Sequence, residues 1–200
     1  MSATAPTTKL EAVNRMLADI GDRPVNTLSG SQRLDVNNAV AALDEATRTL
    51  LATGWWFNTE KLRVPVDAND QYLIPTDIVK VEAIDGGPTS GQYEVPYLVV
   101  RGRKLYDTAN ATDTFPGGPL VVLIVCRLLD YEDLPQNARE YVYATASLAL
   151  QFRTIGSGVL DQNLQMRAAT ALAQLKDEEI ENTTDDLTFA PRFIDIMYRR

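Results

Sequence analysis

Apolar residues recur at helical spacing in two runs between residues 8 and 57. Thr8 and Glu11 have the spacing of a capping box, which starts the first run, and Gly21 ends it. Gly54 ends the second run. The residues on the predicted inward side are Leu10, Val13, Leu17 and Ile20, and then Val36, Val40, Leu43, Thr47 and Leu50. The pattern predicts a hairpin of two helices.

The pattern changes to an alternation of period two between residues 60 and 129, which predicts β-strands. The predicted strand segments are residues 61–66, 72–74, 79–83, 97–100, 104–106 and 120–129. Residues 85–88 have the composition of a turn, residues 101–103 that of a hairpin tip, and residues 108–119 that of an exposed loop. We therefore predict a mostly antiparallel sheet of about five or six short strands. In it, residues 120–129 form the central strand, covered on both faces.

Helical spacing returns after Asp133, which is predicted to cap a third helix with Pro135 in its first turn. The inward line of this third helix is predicted to be Ala138, Tyr141, Val142, Thr145, Leu148, Ala149, Phe152 and Ile155. Residues 156–158 break the helix, and a fourth helix follows at about residues 160–181. Its inward line is predicted to be Leu164, Ala168, Ala171, Leu172, Leu175 and Ile180.

Two helices, a sheet and two further helices predict an α+β fold with segregated layers. Residues 1–58 and 131–182 are expected to form a four-helix bundle. Residues 59–130 are expected to form an inserted, mostly antiparallel β-sheet domain. Residues 183–200 are expected to form an extended tail, whose aromatic and aliphatic side chains suggest a segment that docks on another subunit.

The composition is that of a folded chain that does not wrap nucleic acid. Hydrophobic residues make up 45% and charged residues 23% of the 200 positions, as in ordinary globular proteins. The chain has 27 acidic and 19 basic residues, a net charge of −8, whereas affinity for duplex DNA comes mostly from basic contacts to phosphate. A protein past which DNA slides is compatible with this charge.

The lone cysteine and the N-terminus bear on where the chain folds. Cys126 lies in an apolar run, permits no intrachain disulfide and is predicted to be buried. The first seven residues lack the basic and apolar regions of a signal peptide. No apolar run approaches the ~20 residues that span a bilayer. We expect a protein that is made and folded in a cytoplasm and has no membrane partner.

The absence of histidine excludes several kinds of catalytic and metal site. It removes Ser-His-Asp and Cys-His catalysis and histidine metal ligands together. The sequence also lacks a glycine-rich phosphate loop and a calcium loop of the EF-hand pattern. We therefore expect no enzyme activity, no catalytic or metal-binding residue and no cofactor.

Pairs of carboxylates, as used in glycoside hydrolysis, are the chemistry that remains open. Glu60 stands close to the aromatic cluster of residues 55–57, although a hydrophobic junction is the more common meaning of such a cluster. The acids within residues 130–133 have the pattern of helix capping. The acids within residues 177–186 have the pattern of a solvated helix face. In each case the structural interpretation is favoured.

Several stretches of the chain together resemble the tail tubular protein A family, the head-to-tail adaptors of short-tailed phages of the podovirus type. They are Ala12-Val13-Asn14, Leu17, Ile20-Gly21-Asp22-Arg23-Pro24-Val25 and Leu28, then Gly54-Trp55-Trp56-Phe57-Asn58, residues 97–107, residues 127–135, and the helix that contains Ala146-Ser147 and Phe152. The resemblance covers residues 8–182 in unchanged order. It rests on order and spacing, since each motif alone consists of cap, turn and core residues.

The resemblance implies a structural virion protein of the phage tail, located at the head-tail interface and assembled in the host cytoplasm. Twelve subunits are expected to form a ring between the portal protein and the tail nozzle (tail tubular protein B), with tail fibres as further partners. DNA is expected to pass through the lumen without sequence-specific binding. The alternatives are a tail-associated, carboxylate-dependent glycan hydrolase, with Glu60 or Asp130 as the acid, and a soluble binding module or chaperone unrelated to phage.

Two groups of residues are candidates for contacts with other subunits. The first lies in the C-terminal tail and comprises Phe189, Phe193, Ile194, Met197 and Tyr198. The second, Arg101 and Arg103, lies at the predicted hairpin tip; a charged tip is the simple interpretation, and phosphate contact is the alternative.

Deleting residues 187–200 is expected to prevent normal ring formation on the portal, because the deletion removes one of the two complementary patches that a closed ring needs. Negative-stain images of the truncated chain and of the full chain, each mixed with the portal, show whether each forms rings. Normal rings from the truncated chain would show that the tail is not such a patch.

Overall fold

The computed structural model describes residues 7–29, 33–84, 98–154 and 158–184. The chain divides into two compact units, one formed by Met1–Leu50 with Asp130–Arg200 and the other by Leu51–Leu129. Among the described residues, the helices are α1 (Lys9–Asp19), α2 (Leu34–Thr53), α3 (Gln136–Thr154) and α4 (Gly158–Thr184). The strands are β1 (Thr59–Val64), β2 (Ile78–Ile84), β3 (Leu98–Arg101), β4 (Lys104–Asp107) and β5 (Val121–Arg127). The predicted α+β class is confirmed.

The ends of α1 are set by local signals in the sequence. The Thr8 hydroxyl accepts a hydrogen bond from the Glu11 N–H at 3.2 Å, and the Glu11 carboxylate accepts one from the Thr8 N–H at 2.8 Å. These bonds form the predicted capping box. At the other end Gly21 has φ +76°, and the Asp22 N–H donates to the Leu17 carbonyl at 2.8 Å, as in a Schellman motif.

The four described helices run in two directions. α1 and α3 run one way, and α2 and α4 run the other way. Thr7 contacts Gln136 and Asp19 contacts Tyr143, so α1 and α3 are parallel. Lys9 contacts Asp44 and Asp22 contacts Arg33, so α1 and α2 are antiparallel. Asn137 near the start of α3 contacts Glu178 near the end of α4, so these two helices are antiparallel.

A buried arginine joins the start of α3 to the start of α1. Arg139 is only 7% exposed, and its guanidinium donates to the carbonyls of Leu134 at 2.8 Å, Thr7 at 2.9 Å and Glu132. No carboxylate accepts from it among these bonds. The arginine therefore supplies hydrogen bonds to backbone carbonyls at the place where two chain segments enter their helices.

The buried face of α3 agrees with the prediction near the start of the helix, at Ala138 and Val142, and differs from it farther along. Ile155, the last residue of the predicted line, lies outside the described residues. The predicted line includes Phe152, which is 76% exposed, whereas Tyr143, Ser147 and Gln151 are buried at spacings of four residues. Apolar and small residues occur around most of α3, so spacing alone does not select the buried side. The Tyr143 hydroxyl donates to Asp19 at 2.6 Å, and this bond turns its side of α3 toward α1.

The inward side of α2 agrees with the prediction, and that of α4 agrees in part. On α2 the buried residues include Val36, Ala39, Ala42, Leu43, Thr47 and Leu50. On α4 Leu164, Ala171 and Leu175 are buried, but Ile180 is 60% exposed. The prediction for Ile180 was therefore wrong, because the residue lies outside the stripe that packs on α3.

The described strands form two antiparallel sheets instead of the single sheet that was predicted. The first has the order β1-β5-β2, and the second consists of β3 and β4. In the first sheet Leu62 pairs with Leu123, and β2 has two irregularities in its register with β5. The central position of β5 is confirmed. The prediction that both of its faces are covered was wrong, because burial alternates along the strand and Val122 and Ile124 are only half-buried. The predicted turn at residues 85–88 lies outside the described residues.

Two predictions within residues 72–119 were wrong. Residues 72–74 do not form a strand, since only Leu73 makes a single bridge, to Lys104. The loop after β4 is not exposed throughout, because Phe115 is fully buried. The Phe115 ring packs against the Tyr72 ring with centroids 4.9 Å apart, so the loop contributes to the core of the sheet unit. Cys126 is buried, as predicted, and burial raises the pKa of its thiol.

Replacing Arg139 with alanine is expected to lower the free energy of unfolding by about 2–4 kcal/mol, because three backbone carbonyls lose their donor. Arg153→Ala on the same helix is the matched control. The Arg153 side chain is 60% exposed and lies 3.7 Å from Glu45, so its loss should cost less than about 1 kcal/mol. Urea unfolding, followed by circular dichroism, measures the free energy of unfolding of both variants. Equal losses of stability in the two variants would refute the role proposed for Arg139.

Candidate interaction surfaces

The predicted hairpin is present, with Arg101 and Arg103 at its tip. Gly102 and Arg103 have φ +55° and +80°, which matches a two-residue hairpin turn with both central residues left-handed. The Arg101 guanidinium lies 3.9 Å from the Tyr106 ring centroid, and Arg103 Nε donates to the Ile74 carbonyl at 3.1 Å. Both arginines are exposed. Arg103 thus also supports its own loop, and Arg101 presents a charge held over an aromatic ring.

A buried aspartate organises the loop that follows the hairpin. Asp107 is 1% exposed and accepts hydrogen bonds from the Ala109 N–H at 2.8 Å, the Asn110 N–H at 3.1 Å and the Asn110 side-chain amide at 2.8 Å. Burial alone would raise the pKa of this carboxyl, but these hydrogen bonds outweigh it, and the pKa of Asp107 is lowered. The carboxylate therefore stays charged at neutral pH and holds the loop.

The Glu60 and Asp130 carboxylates, each a candidate acid in the sequence, have different surroundings within their own units. Glu60 accepts from Arg127 Nε at 2.8 Å, and the Arg127 guanidinium also binds Asp77. The hydrogen bond that Arg127 donates to Glu60 is the largest cause that raises the pKa of Arg127. Asp130 precedes a 3-10 turn, Tyr131–Asp133, without a side-chain capping bond. Because α3 begins only at Gln136, the prediction that Asp133 caps this helix was wrong. Glu60 thus has the role of an ion-pair partner between neighbouring strands.

The acidic residues near the end of α4 also have contacts that fit a structural role. The Asn137 side-chain amide donates to the Glu178 carboxylate at 2.6 Å. Burial raises the pKa of the Glu179 carboxyl.

Within the described part of the chain, His, Cys, Asp and Glu form no group of three that could hold a metal ion. Within the same part, no helix is both long and apolar enough to cross a membrane.

An open groove of about 770 Å³ lies between α1, α3 and α4. Its polar wall is formed by residues that pair with each other: Arg15 binds Glu140 at 2.7 and 3.0 Å, and Tyr143 donates to Asp19 at 2.6 Å. The Arg15 guanidinium also lies 3.9 Å from the Tyr143 ring centroid. The groove thus contains carboxylates that are already hydrogen-bonded, which does not favour a carboxylate-dependent hydrolase.

The helical unit carries large apolar side chains on its solvent side that the sequence analysis did not select as contact residues. Leu34 on α2 is 70% exposed, Phe152 on α3 is 76% exposed, and Met166 on α4 is 69% exposed. Large exposed apolar groups are typical of protein–protein contact surfaces when they form a contiguous patch. The sequence contains a pattern that could have indicated this side of α4 as a contact surface, since Met166, Ala173 and Ile180 are spaced by seven residues.

The C-terminal candidates Phe189, Phe193, Ile194, Met197 and Tyr198 lie outside the described residues. Their proposed role in docking therefore stays a prediction. Of the predicted contact residues, the structure places only Arg101 and Arg103, and it brings them together on one turn.

An α+β chain with exposed apolar helix faces and an arginine-tipped hairpin has the features of a structural assembly protein. A model of the tail tubular protein family matches residues 10–185. The tail tubular protein A of Klebsiella phage KP34 is 33% identical over 144 residues, which is 71% of this chain and 72% of that protein. The chain belongs to the tail tubular protein family.

Membership in this family makes the chain a structural protein of the phage virion tail. It confirms the resemblance found in the sequence. A structural role favours a non-enzymatic protein, and the glycan hydrolase alternative receives no support from the comparison. Family membership therefore implies that the chain assembles with other components of the phage tail.

Replacing Asp107 with asparagine is expected to lower stability at neutral pH by about 1–3 kcal/mol, because a buried charged acceptor is lost. The folded-state pKa lies below the ordinary value, so the charge contributes fully above about pH 4 and its contribution disappears as pH falls through the folded-state value. The difference between wild type and variant should therefore stay constant between pH 7 and about pH 4 and shrink as pH falls further.

Asp113→Asn is the control, because its side chain is 38% exposed in the same loop. Urea unfolding at several pH values measures the differences. A difference for Asp107→Asn that also stays constant below about pH 4 would contradict a role for the charge.

Proposed function

We propose that this chain is the head-to-tail adaptor of its phage, which forms a ring of twelve subunits between the portal protein and the tail nozzle. The observation that carries the proposal is the family match across residues 10–185, which includes both helical segments and the strands. The motifs that resemble the family in unchanged order, from residue 8 to residue 182, support the same conclusion. The lumen of the ring continues the channel through which DNA is ejected.

The architecture proposed for this role is a four-helix bundle with an inserted sheet domain. Residues 1–58 and 131–182 form the bundle, which contacts neighbouring subunits and the portal. Residues 59–130 face the nozzle and the tail fibres, and residues 183–200 dock on another subunit. The hairpin arginines Arg101 and Arg103 belong to the nozzle-facing part.

The charge of the chain suits a channel for DNA. A net charge of −8 gives a ring of twelve a large negative charge, which repels the phosphate backbone at the wall of the lumen. Repulsion keeps DNA from binding along the channel, so the genome can slide through it. Sequence-specific binding is not needed for this role.

The mass of the assembly tests the proposal. Twelve chains of 22.1 kDa would add about 265 kDa to the portal, which light scattering resolves and negative-stain imaging shows as a second ring. The expected result is a low-mass species alone and a closed ring on the portal. A portal from a long-tailed phage is the control. A chain that ignores its own portal would overturn the adaptor proposal.

A further inference from the structure

α4 has apolar residues on two opposite sides. The side that packs inward carries Leu164, Ala171 and Leu175, all buried. The opposite side carries Ile180 at 60% exposure and Met166 at 69%, with the exposed alanines Ala169 and Ala173 between them. Met166 lies at the edge of this side, where it also lines the groove between α1, α3 and α4. At about 100° per residue, Ala173 and Leu175 point about 160° apart. We call Met166, Ala169, Ala173 and Ile180 the outer α4 face.

A helix at the surface of a protein normally has one apolar stripe, and a helix with apolar residues on opposite sides normally lies between two layers. The inner layer for α4 is α3 of the same chain. In the described part of the chain, the members of the outer α4 face are exposed to solvent. The pattern therefore indicates a second protein surface on this side.

α2 carries a face of matching spacing on its own solvent side. Leu34 is 70% exposed, and Ala41 and Arg48 follow it at steps of seven residues, both exposed. We call these three residues the outer α2 face. A closed ring of identical subunits needs two different complementary patches on each chain. The outer α4 and α2 faces are two different exposed surfaces of one chain.

We propose that the outer α4 face packs against the outer α2 face of a second copy of the chain. The proposal rests on the ring proposed above and identifies the surfaces that close it. A seven-residue spacing on both helices allows side chains of one to fit between those of the other. Alanine at the centre of each face, Ala173 and Ala41, allows the helices to approach closely.

The direction of the helices agrees with this contact. α2 and α4 run the same way within one chain, as their contacts with α1 and α3 show. A rotation about an axis along the helices preserves their direction, so α4 of one subunit and α2 of the next would be parallel. Parallel alignment places Met166 beside Leu34, Ala173 beside Ala41 and Ile180 beside Arg48.

Charges beside the two faces are complementary in this parallel alignment. Arg48 would lie over Ile180 with its guanidinium near Asp177 and Glu181, both exposed. In the antiparallel alignment Arg48 would lie beside Met166, and residues 162–170 contain no carboxylate that could pair with it. The charges therefore favour the parallel contact.

A second charge pair supports the same register. Lys176 and Glu45, both exposed, would lie beside each other in the parallel alignment. Glu45 has an ion pair of 3.7 Å with Arg153 in its own chain. Both side chains are more than half exposed, so this pair is weak and can be exchanged for a contact with Lys176.

Mixing two single-cysteine variants tests the contact between chains. Ala41→Cys and Ala173→Cys are prepared separately and assembled together on the portal, and disulfide formation is then induced. Because each chain carries one new cysteine, a 41–173 bond can form only between chains. A disulfide needs Cα atoms about 4.4–6.8 Å apart, so rapid formation reports close packing. Cys126 is buried and remains in both proteins.

The matched control replaces Ala173→Cys with Ala18→Cys, an exposed alanine on α1. We expect the 41–173 dimer to form at least about tenfold faster than the 18–41 dimer, because disulfide formation follows proximity. Rings with equal rates for both pairs, or with mostly 173–173 dimers, would overturn the proposed contact and leave the ring proposal intact. An absence of rings with the unmodified chain would overturn both.

Charge reversal gives an independent measurement on the full chain. Arg48→Glu is expected to lower the ring yield on the portal at least about tenfold, because the repulsion is repeated at every contact of the ring. The variant Asp177→Lys with Glu181→Lys should restore rings when combined with Arg48→Glu. Arg63→Glu, an exposed arginine on β1, is the matched control for net charge.

Thermal unfolding of each variant separates loss of assembly from loss of folding. The proposal requires that Arg48→Glu leaves the midpoint within a few degrees of wild type while rings are lost. Normal rings from Arg48→Glu, or a failure of the combined variant to restore them, would refute the proposed parallel register.

Discussion

The side chain of Asn58 fixes the place where the helical chain turns into the sheet. It is 3% exposed, and its amide donates to the carbonyls of Leu51 at 2.8 Å and Arg127 at 3.1 Å, while its oxygen accepts from the Trp55 N–H at 2.8 Å. The last carbonyls of a helix have no partner within the helix, and burial makes an unpaired carbonyl costly. One amide thus holds the end of α2, the aromatic turn and the end of β5 together.

Gly54 completes this turn for a steric reason. Its φ is +86°, and the Cβ of any side chain there would overlap the Glu82 carboxylate and lie 3.0 Å from Cys126 Sγ. The motif from Gly54 to Asn58, which resembles an element of the family, therefore has a physical function. Arg139 has a comparable function in the helical unit, where it supplies donors to three carbonyls. In both places a single polar side chain supplies the donors that buried carbonyls need.

Much of the local structure could be predicted because its causes lie within a few residues. The capping box at Thr8, the left-handed Gly21 and the hairpin around Gly102 all depend on backbone geometry and near neighbours. The candidate arginines Arg101 and Arg103 were found in the same way, since a tight turn exposes its tip. The contact of Arg103 with the Ile74 carbonyl could not be predicted, because it joins residues that are distant in the sequence.

The sequence by itself determined the class of fold, the positions of the helices and most strands, and the family resemblance. Only the tertiary structure decided which side of α3 is buried, because several sides of that helix are equally apolar. There Gln151 is buried and Phe152 is exposed, against simple hydrophobicity. It also decided that Phe115 enters the core and that Met166 faces solvent. Burial depends on which neighbours supply packing and hydrogen bonds, and those neighbours are fixed only when distant segments of the chain come together.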